Sequence, residues 1–334
     1  MIDQTEAKWA GDTIERIVAN VETVIISKHD VVELVVMALL ARGHVLLEDL
    51  PGTGKTSLAK ALARSIDCGF SRIQFTPDVM PSDVTGFSIY NQKTNSFEFR
   101  PGGVMSNLVL ADEINRASAK TQSALLEAME EHQVTVDSQV YALEPPFMVL
   151  ATQNPIEQYG TYPLPEAQLD RFLVKLSIGY PLPDDEVRVV LETRAAKAQI
   201  KAVATGADVV RLQEMAERVH IAPSVARYAV QVVAATRSVK ECLCGASPRA
   251  SIALVDMARA NALMRGRTYV MPDDIKFLAP HVLAHRLILT HEARVNGCSA
   301  QSVIAGVLDS VAVPGVDERD MRAGADDAVA SLEG

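Results

Sequence analysis

The sequence predicts an α/β fold, a five-stranded parallel sheet with β-hairpin inserts, followed by an all-helical domain. A short apolar strand runs through a glycine-bearing turn straight into an amphipathic helix, which is half of a parallel α/β unit. Four more apolar runs follow at spacings wide enough for helices or inserts between them. Beyond Pro181-Leu182-Pro183 helical periodicity continues and no convincing strand follows. At about 100–200 residues per domain, 334 residues fit two such units.

Taken in order, Val31, Leu34, Val35, Ala38 and Leu39 form the apolar stripe of a packed helix. A strand over 44–48 leads into the turn Asp49-Leu50-Pro51-Gly52-Thr53-Gly54, and Leu58, Ala61, Leu62 and Ile66 share one face of the next helix. The runs at 72–75, 108–111, 147–152 and 172–178 complete five buried strands. Phe87/Ile89 and Phe97/Phe99 flank a polar segment as the arms of a hairpin do, and Val134/Val136 with Val140 flank Asp137-Ser138 in the same way. Both hairpins are expected to decorate the sheet, not to extend it. Helices are expected near 208–220, 224–237, 248–265 and 273–286, some opened by Pro at the first turn with Asp beside it. The organisation read from this is a core with an N-terminal helical segment over 1–183, a helical domain over 184–312 and a frayed tail over 313–334.

Composition narrows the function. With 32 Lys and Arg against 42 Asp and Glu, the formal charge of −10 argues against a surface built to grip phosphate backbones. Aromatic residues are only 5%, too few for a channel of stacked bases. Cys68, Cys242, Cys244 and Cys298 form no CxxC pair and read as reduced thiols; Cys242 and Cys244 could share a metal, against a plainer reading as small residues of a helix-rich domain. Asp3, Glu6, Asp12 and Glu15 stand where a signal peptide needs basic residues, and the apolar run at 31–41 is broken by Glu33 and short of the ~20 residues of a bilayer span. A soluble, cytoplasmic protein is expected.

The chemistry lies in two motifs. Gly52-Thr53-Gly54-Lys55-Thr56 sits between a strand and a helix, where backbone N–H groups and the helix N-terminus cradle phosphates. Lys55 would reach the β/γ phosphates and the Thr56 hydroxyl would ligate Mg²⁺, with Pro51 to Ser57 as the nucleotide-binding stretch. Five residues before Gly54, where the full pattern wants glycine, stands Asp49; so close to phosphates, its carboxylate should point away from them. Leu108-Val109-Leu110-Ala111-Asp112-Glu113 is an apolar strand closed by two carboxylates, placed as a parallel neighbour of the phosphate-loop strand. Asp112 fits an organiser of Mg²⁺, and Glu113 fits a general base for the attacking water.

The ordered series of motifs resembles the MoxR family of AAA+ ATPases from about Ile17 to Ala312. It is carried by the strand and phosphate loop, Ala111-Asp112-Glu113-Ile114-Asn115-Arg116-Ala117, Ala151-Thr152-Gln153-Asn154-Pro155, Pro165-Glu166-Ala167-Gln168-Leu169-Asp170-Arg171-Phe172 and Ser247-Pro248-Arg249-Ala250. The resemblance implies an AAA+ P-loop core with a helical lid. It assigns Asn154 to sensor 1, orienting the lytic water with Glu113, Arg171 to an arginine finger completing a neighbouring subunit's site, and Arg249 to the sensor 2 of the lid. Read alone, Asn154 is a turn residue before a proline, Arg171 a surface ion pair with Asp170 or Glu166, and Arg249 a partner for a helix end or carboxylate. Arg116 either touches a neighbour's nucleotide or caps locally. Where the family has Gly-Gln beside the adenine this chain has Ser27-Lys28, leaving Ile25 and Ile26 to pack the base.

The implied output is Mg²⁺-dependent ATP hydrolysis by a hexameric ring that remodels client protein complexes or inserts their cofactors, with a partner bearing a von Willebrand factor A domain. The alternatives are a magnesium-chelatase-like motor subunit, a nucleotide-gated scaffold with little turnover, and a helicase. The last is disfavoured because the second hairpin carries no Lys or Arg and the first sets Lys93 and Arg100 beside Glu98.

Overall fold

The computed structural model describes residues 2–155 and 162–315, and of 192–199 the backbone alone. Its elements begin with α1 (Gln4–Glu22), α2 (His29–Leu40), β1 (Val45–Glu48), α3 (Lys55–Ser65), β2 (Phe70–Gln74), α4 (Pro81–Thr85), β3 (Gly86–Asn91) and β4 (Ser96–Pro101). They continue with β5 (Leu108–Asp112), α5 (Ala119–Glu131), β6 (Gln133–Val136), β7 (Gln139–Ala142), β8 (Met148–Gln153), α6 (Glu166–Leu169) and β9 (Val174–Leu176). Then follow α7 (Pro183–Gln199), α8 (Gly206–Glu217), α9 (Pro223–Ala235), β10 (Cys242–Cys244), α10 (Pro248–Met264), α11 (Pro272–Leu283), β11 (Ile288–Leu289), α12 (His291–Val295) and α13 (Ala300–Ser310). Packing divides the described residues into two compact units, one within 9–214 and the other joining 2–8 to 215–315.

The first unit holds the expected five-stranded parallel sheet, in the order β2-β5-β8-β1-β9. One expectation is corrected. The Asp-Glu strand β5 is not beside the phosphate-loop strand β1, because β8 lies between them, pairing Leu110 with Leu150 on one side and Val45 with Leu150 on the other. The strands are apolar through their length because both faces are covered: Leu46, Val109, Ala111, Val149 and Ala151 are all fully buried, with Phe172 packed among them. Parallel pairing brings the carboxyl ends together, Glu48 level with Gln153 and Gln74 level with Asp112, which is where a crevice forms in an open α/β sheet.

Both predicted hairpins are present as separate antiparallel pairs, β3–β4 and β6–β7, outside the main sheet. Phe99 of the first stacks on Tyr141 of the second, centroids 3.8 Å apart, which locks the two inserts to each other. The unit reaches past the 183/184 boundary read from the sequence. Val203 and Ala204 donate their N–H groups to the Ser65 carbonyl, and Gln213 Nε2 donates to the Leu39 carbonyl at 2.7 Å, so this stretch packs on α2 and α3.

The second unit is built on α9, α10, α11 and α13. Alanines 250, 253, 258, 260 and 262 line the buried face of α10 and allow close helix approach. Its polar centre is Asp274, 3% exposed, which accepts two bonds from the Arg267 guanidinium, one from Asn261 Nδ2 and one from the Met271 N–H. The unit is not all-helical: β10 and β11 form a two-stranded antiparallel ribbon. Three-residue and two-residue strands are too short for an alternating pattern to register. From 316 onward the expected tail lies outside the described residues.

Two buried polar groups fix the two ends of β1, His44 at its start and Asp49 where it leads into the crevice. His44, just before β1, is neutral: its Nδ1 accepts the Val149 N–H at 3.0 Å, so Nε2 carries the proton and donates to the Met129 carbonyl at 3.0 Å. Burial pushes the His44 imidazole down to about 4, only partly offset by the Met129 bond, while nearby His132 lowers it further. Asp49, 5% exposed, accepts the Ser177 hydroxyl at 2.8 Å, the Ile178 N–H at 2.6 Å and the Gly179 N–H at 3.0 Å. Its carboxylate is thereby turned into the chain leaving β9 and away from the loop, as expected for an anion beside a phosphate site.

Two outcomes follow. Between about pH 6.5 and 4 the unfolded chain binds a proton at residue 44 that the folded protein refuses, so stability falls as pH drops through that window and levels off below it. Urea unfolding should therefore show the gap between wild type and His44→Gln moving by about 3 kcal/mol in the variant's favour from pH 7 to pH 4; a gap that does not change with pH would refute the assignment. Asp49→Gly restores the glycine of the full phosphate-loop pattern yet removes the acceptor of three donors, one of them the buried Ile178 N–H, and should lower stability by roughly 2–4 kcal/mol in the same assay.

Candidate functional site

A cavity of about 370 Å³ opens at the carboxyl ends of the strands, lined by the turn Pro51 to Ser57, by Arg72 and Gln74 of β2, by Asp112 and Glu113, and by Thr152, Gln153 and Asn154 at the end of β8. The turn is shaped by two glycines with positive φ, Gly52 at 87° and Gly54 at 94°, a region where any side chain would be strained. Gly54 is the N-cap of α3, so the unpaired N–H groups of that helix's first turn face the cavity. Lys55 Nζ is folded over the turn and donates to the Asp49 and Leu50 carbonyls, both at 2.9 Å. Thr53 Oγ1 donates to the Leu50 carbonyl and tightens the same loop.

Asp112 is 9% exposed and held from both sides: Thr152 Oγ1 donates to its Oδ1 at 2.7 Å, and Arg72 pairs with its Oδ2 at 2.6 Å. Glu113 has φ 58°, an uncommon conformation for a side chain of this size and one that re-aims it as the strand ends. The same Thr152 Oγ1 accepts the Glu113 N–H at 2.9 Å. Gln74 Nε2 donates to Glu113 Oε2 at 2.9 Å, and Arg116 Nε sits 3.1 Å from that oxygen. Arg116 thus engages the carboxylate of its own chain.

A divalent cation fits this donor set. Asp112 already binds a cation through Oδ2, the Arg72 guanidinium, and Thr56 lines the same cavity at the start of α3.

The remaining candidates lie elsewhere. Ile25 and Ile26 are buried beside the turn, with Ile25 Cδ1 4.0 Å from where a Gly54 Cβ would stand. Their neighbour Val24 lines a smaller cavity, about 180 Å³, with Thr56, Ser57, Lys60, Ala61, Arg64 and Ile200. Ser27 Oγ donates to Asp185 Oδ1 and Lys28 Nζ donates to the Tyr180 carbonyl, so the pair that departs from the expected Gly-Gln anchors the chain leaving β9. Arg171 does not line its own chain's cavity. It pairs with Glu130 at 2.9 Å and donates to the Leu126 carbonyl at 2.8 Å, in a separate depression that also carries Glu127 and Glu131. Arg249 lies in the other unit, exposed on the first turn of α10.

Sequence reasoning passed over Arg72, Gln74 and Thr152 as site residues. A signal existed for the first two: alternation puts both on one face of β2, opposite buried Ile73.

Known proteins resemble the chain in sequence and fold. The family model for the ATPase family associated with various cellular activities (AAA) matches residues 44–174, and that for the AAA lid domain matches 234–306. The chain is 52% identical to the uncharacterized protein YeaC of Bacillus subtilis, covering 89% of this chain and 93% of YeaC. It is 45% identical to Chaperone MoxR1 of Mycobacterium tuberculosis, covering 91% and 83% respectively. A solved structure of a candidate ATPase from Cytophaga hutchinsonii superposes with a TM-score of 0.87 at 40% identity, over 93% of this chain and 98% of the other. Sheet order, phosphate turn, paired carboxylates and these relatives lead to one conclusion: the chain belongs to the MoxR family of AAA+ ATPases.

Proposed function

We propose that this chain hydrolyses ATP and uses the cycle to remodel client proteins as a chaperone-like ring. The observation that carries the reading is the convergence of Lys55, Thr56, Asp112, Glu113 and Asn154 on one cavity at the sheet's carboxyl edge. The α3 N-terminus and the Gly52–Gly54 turn receive the phosphates, and Lys55 exchanges two loop carbonyls for phosphate oxygens. Thr56 and Asp112 hold Mg²⁺, which supplies charge neutralisation on the transferring phosphoryl group when bound. Glu113, aimed by its backbone and held by Gln74, takes up the proton of the attacking water, and Asn154 at the adjacent strand end orients that water. Ile25 and Ile26 pack the adenine, and Arg249 of the lid contacts the phosphates.

Because Arg171 is held by Glu130 outside its own chain's cavity, it serves a neighbour's site, and hydrolysis requires assembly, as a hexamer in this reading. The name of the relative Chaperone MoxR1 supports the remodelling output. A von Willebrand factor A domain partner selects the client. The net charge of −10 disfavours nucleic acid as that client, and no helix among the described residues is long and apolar enough to cross a membrane, in keeping with work in the cytoplasm.

Glu113→Gln should keep ATP binding while turnover falls by about 10²–10⁴-fold, and unchanged hydrolysis would remove Glu113 from the role of base. Mixing Arg171→Ala with Lys55→Ala subunits should recover part of the activity each lacks alone, since some interfaces then join an intact cavity to an intact finger. Strictly no recovery would place Arg171 in its own subunit's chemistry. Affinity capture with the Glu113→Gln protein in ATP should retain a von Willebrand-type partner; porphyrin-linked subunits would redirect the reading to a chelatase motor.

A further inference from the structure

The two carboxylates at the end of β5 are closed into a ring of side chains in which the proposed chemistry gives Arg72 no role. Arg72 donates from Nε at 3.1 Å and from Nη2 at 2.6 Å to Asp112 Oδ2, and Nη2 also donates to Gln74 Oε1 at 2.7 Å. Gln74 Nε2 reaches Glu113 Oε2, and Thr152 returns the circuit from the Glu113 N–H to Asp112 Oδ1. Adjacent carboxylates in a half-enclosed crevice need a counter-charge, and Arg72 provides it through two nitrogens on one oxygen.

The two partners are not equally fixed. The Asp112 side chain is 13% exposed and anchored by Thr152, whereas the Arg72 side chain is 46% exposed and reaches in from an edge strand. When the pair opens, Arg72 is therefore the group that moves. It also lines the cavity that faces the phosphate turn, so a released guanidinium has a polyphosphate within the same cavity as its next anion.

We propose that Arg72 is the resident counter-ion of Asp112 and is exchanged for Mg²⁺ when nucleotide enters, so that Arg72 sets how much Mg²⁺ nucleotide binding requires. The inference rests on the ATP-binding reading above and adds a positioning residue to it. Arg72 occupies Asp112 Oδ2, and a Mg²⁺ that takes that oxygen displaces a two-nitrogen hydrogen-bonded cation.

The test is a Mg²⁺ titration of the binding of a fluorescent, non-hydrolysable ATP analogue to the full chain, comparing wild type, Arg72→Gln and Arg72→Lys. Losing the competitor should lower the Mg²⁺ midpoint of Arg72→Gln by up to about fivefold, the scale of one half-exposed ion pair. Arg72→Lys keeps the charge but grips with one nitrogen, and its midpoint should fall between the other two. Should Arg72→Gln fail to fold, Arg72→Lys alone decides: a midpoint below wild type supports the exchange. Equal midpoints, with nucleotide bound by all three proteins, would overturn it and leave the ATP reading standing. Absence of nucleotide binding to wild type at any Mg²⁺ concentration would instead overturn the ATP reading itself, and with it this inference.

Discussion

The constraint on which the site depends is the burial of one anion, the Asp49 carboxylate, between the strand that enters the phosphate turn and the strand that closes the sheet. Three donors from residues 177–179 satisfy it. Charge-assisted bonds to a buried carboxylate are among the stronger ones a fold can make, each contributing about 1.5–3 kcal/mol. Asp49 also donates its own N–H to the Gln153 carbonyl, so β1, β8 and β9 are tied together at the level where the turn begins. A glycine here would leave the turn flexible at its root. With aspartate, the loop is anchored at one end by this clamp and at the other by α3, and only the span between them is free to shape itself to a ligand.

This explains why two departures from the family's expected pattern belong together. Asp49 binds 177–179, while Ser27 and Lys28 bind Asp185 and the Tyr180 carbonyl. Both substitutions therefore act on the same stretch of chain leaving β9. Gly179 sits between them at φ 66°, with Lys28 Nζ 3.8 Å from where its Cβ would be. The stretch is held from the phosphate turn on one side and from the turn carrying Ile25 and Ile26 on the other. What reads in sequence as two unrelated losses is, in the fold, one alternative way of fastening that segment.

How much was legible follows from the range of each signal. Apolar runs revealed all five strands of the sheet, and the polar breaks at 91–96 and 137–138 revealed both hairpins, because burial and turn chemistry act over a few residues. Strand order was less accessible. The insertion of β8 between β1 and β5 is set by two crossovers, and nothing local at Leu150 records that it pairs on both sides. At the site, Lys55, Thr56, Asp112 and Glu113 were legible because their chemistry requires fixed spacings around a turn. Arg72 and Gln74 were not, since they act across the β2–β5 pairing, and Glu130 was not, since it reaches Arg171 from α5. His44 was read only as the first residue of a strand, and its role depends on a carbonyl from α5 and an N–H from β8.

The ion pairs of this protein divide into two physical kinds. Asp274 is nearly inaccessible and paired with Arg267, so removing Arg267 strands a charge in a low-dielectric interior at a cost of several kcal/mol, while Asp49, equally inaccessible, is held by one hydroxyl and two backbone N–H groups. Arg171 with Glu130 and Arg72 with Asp112 each keep a cation roughly a third to a half exposed, where a pair is worth about 0–1 kcal/mol and is lost to a better anion at little expense. Arg171 and Arg72 are in the second class, whereas Lys55 is held by two backbone carbonyls of its own loop. Arg171 and Arg72 are each held by a carboxylate before nucleotide or a neighbour arrives. Holding them weakly and within reach of solvent keeps them ordered without committing them. The buried carboxylates keep the turn and the lid unit in shape, and the exposed pairs are the ones that a phosphate, a divalent cation or an adjoining subunit can open.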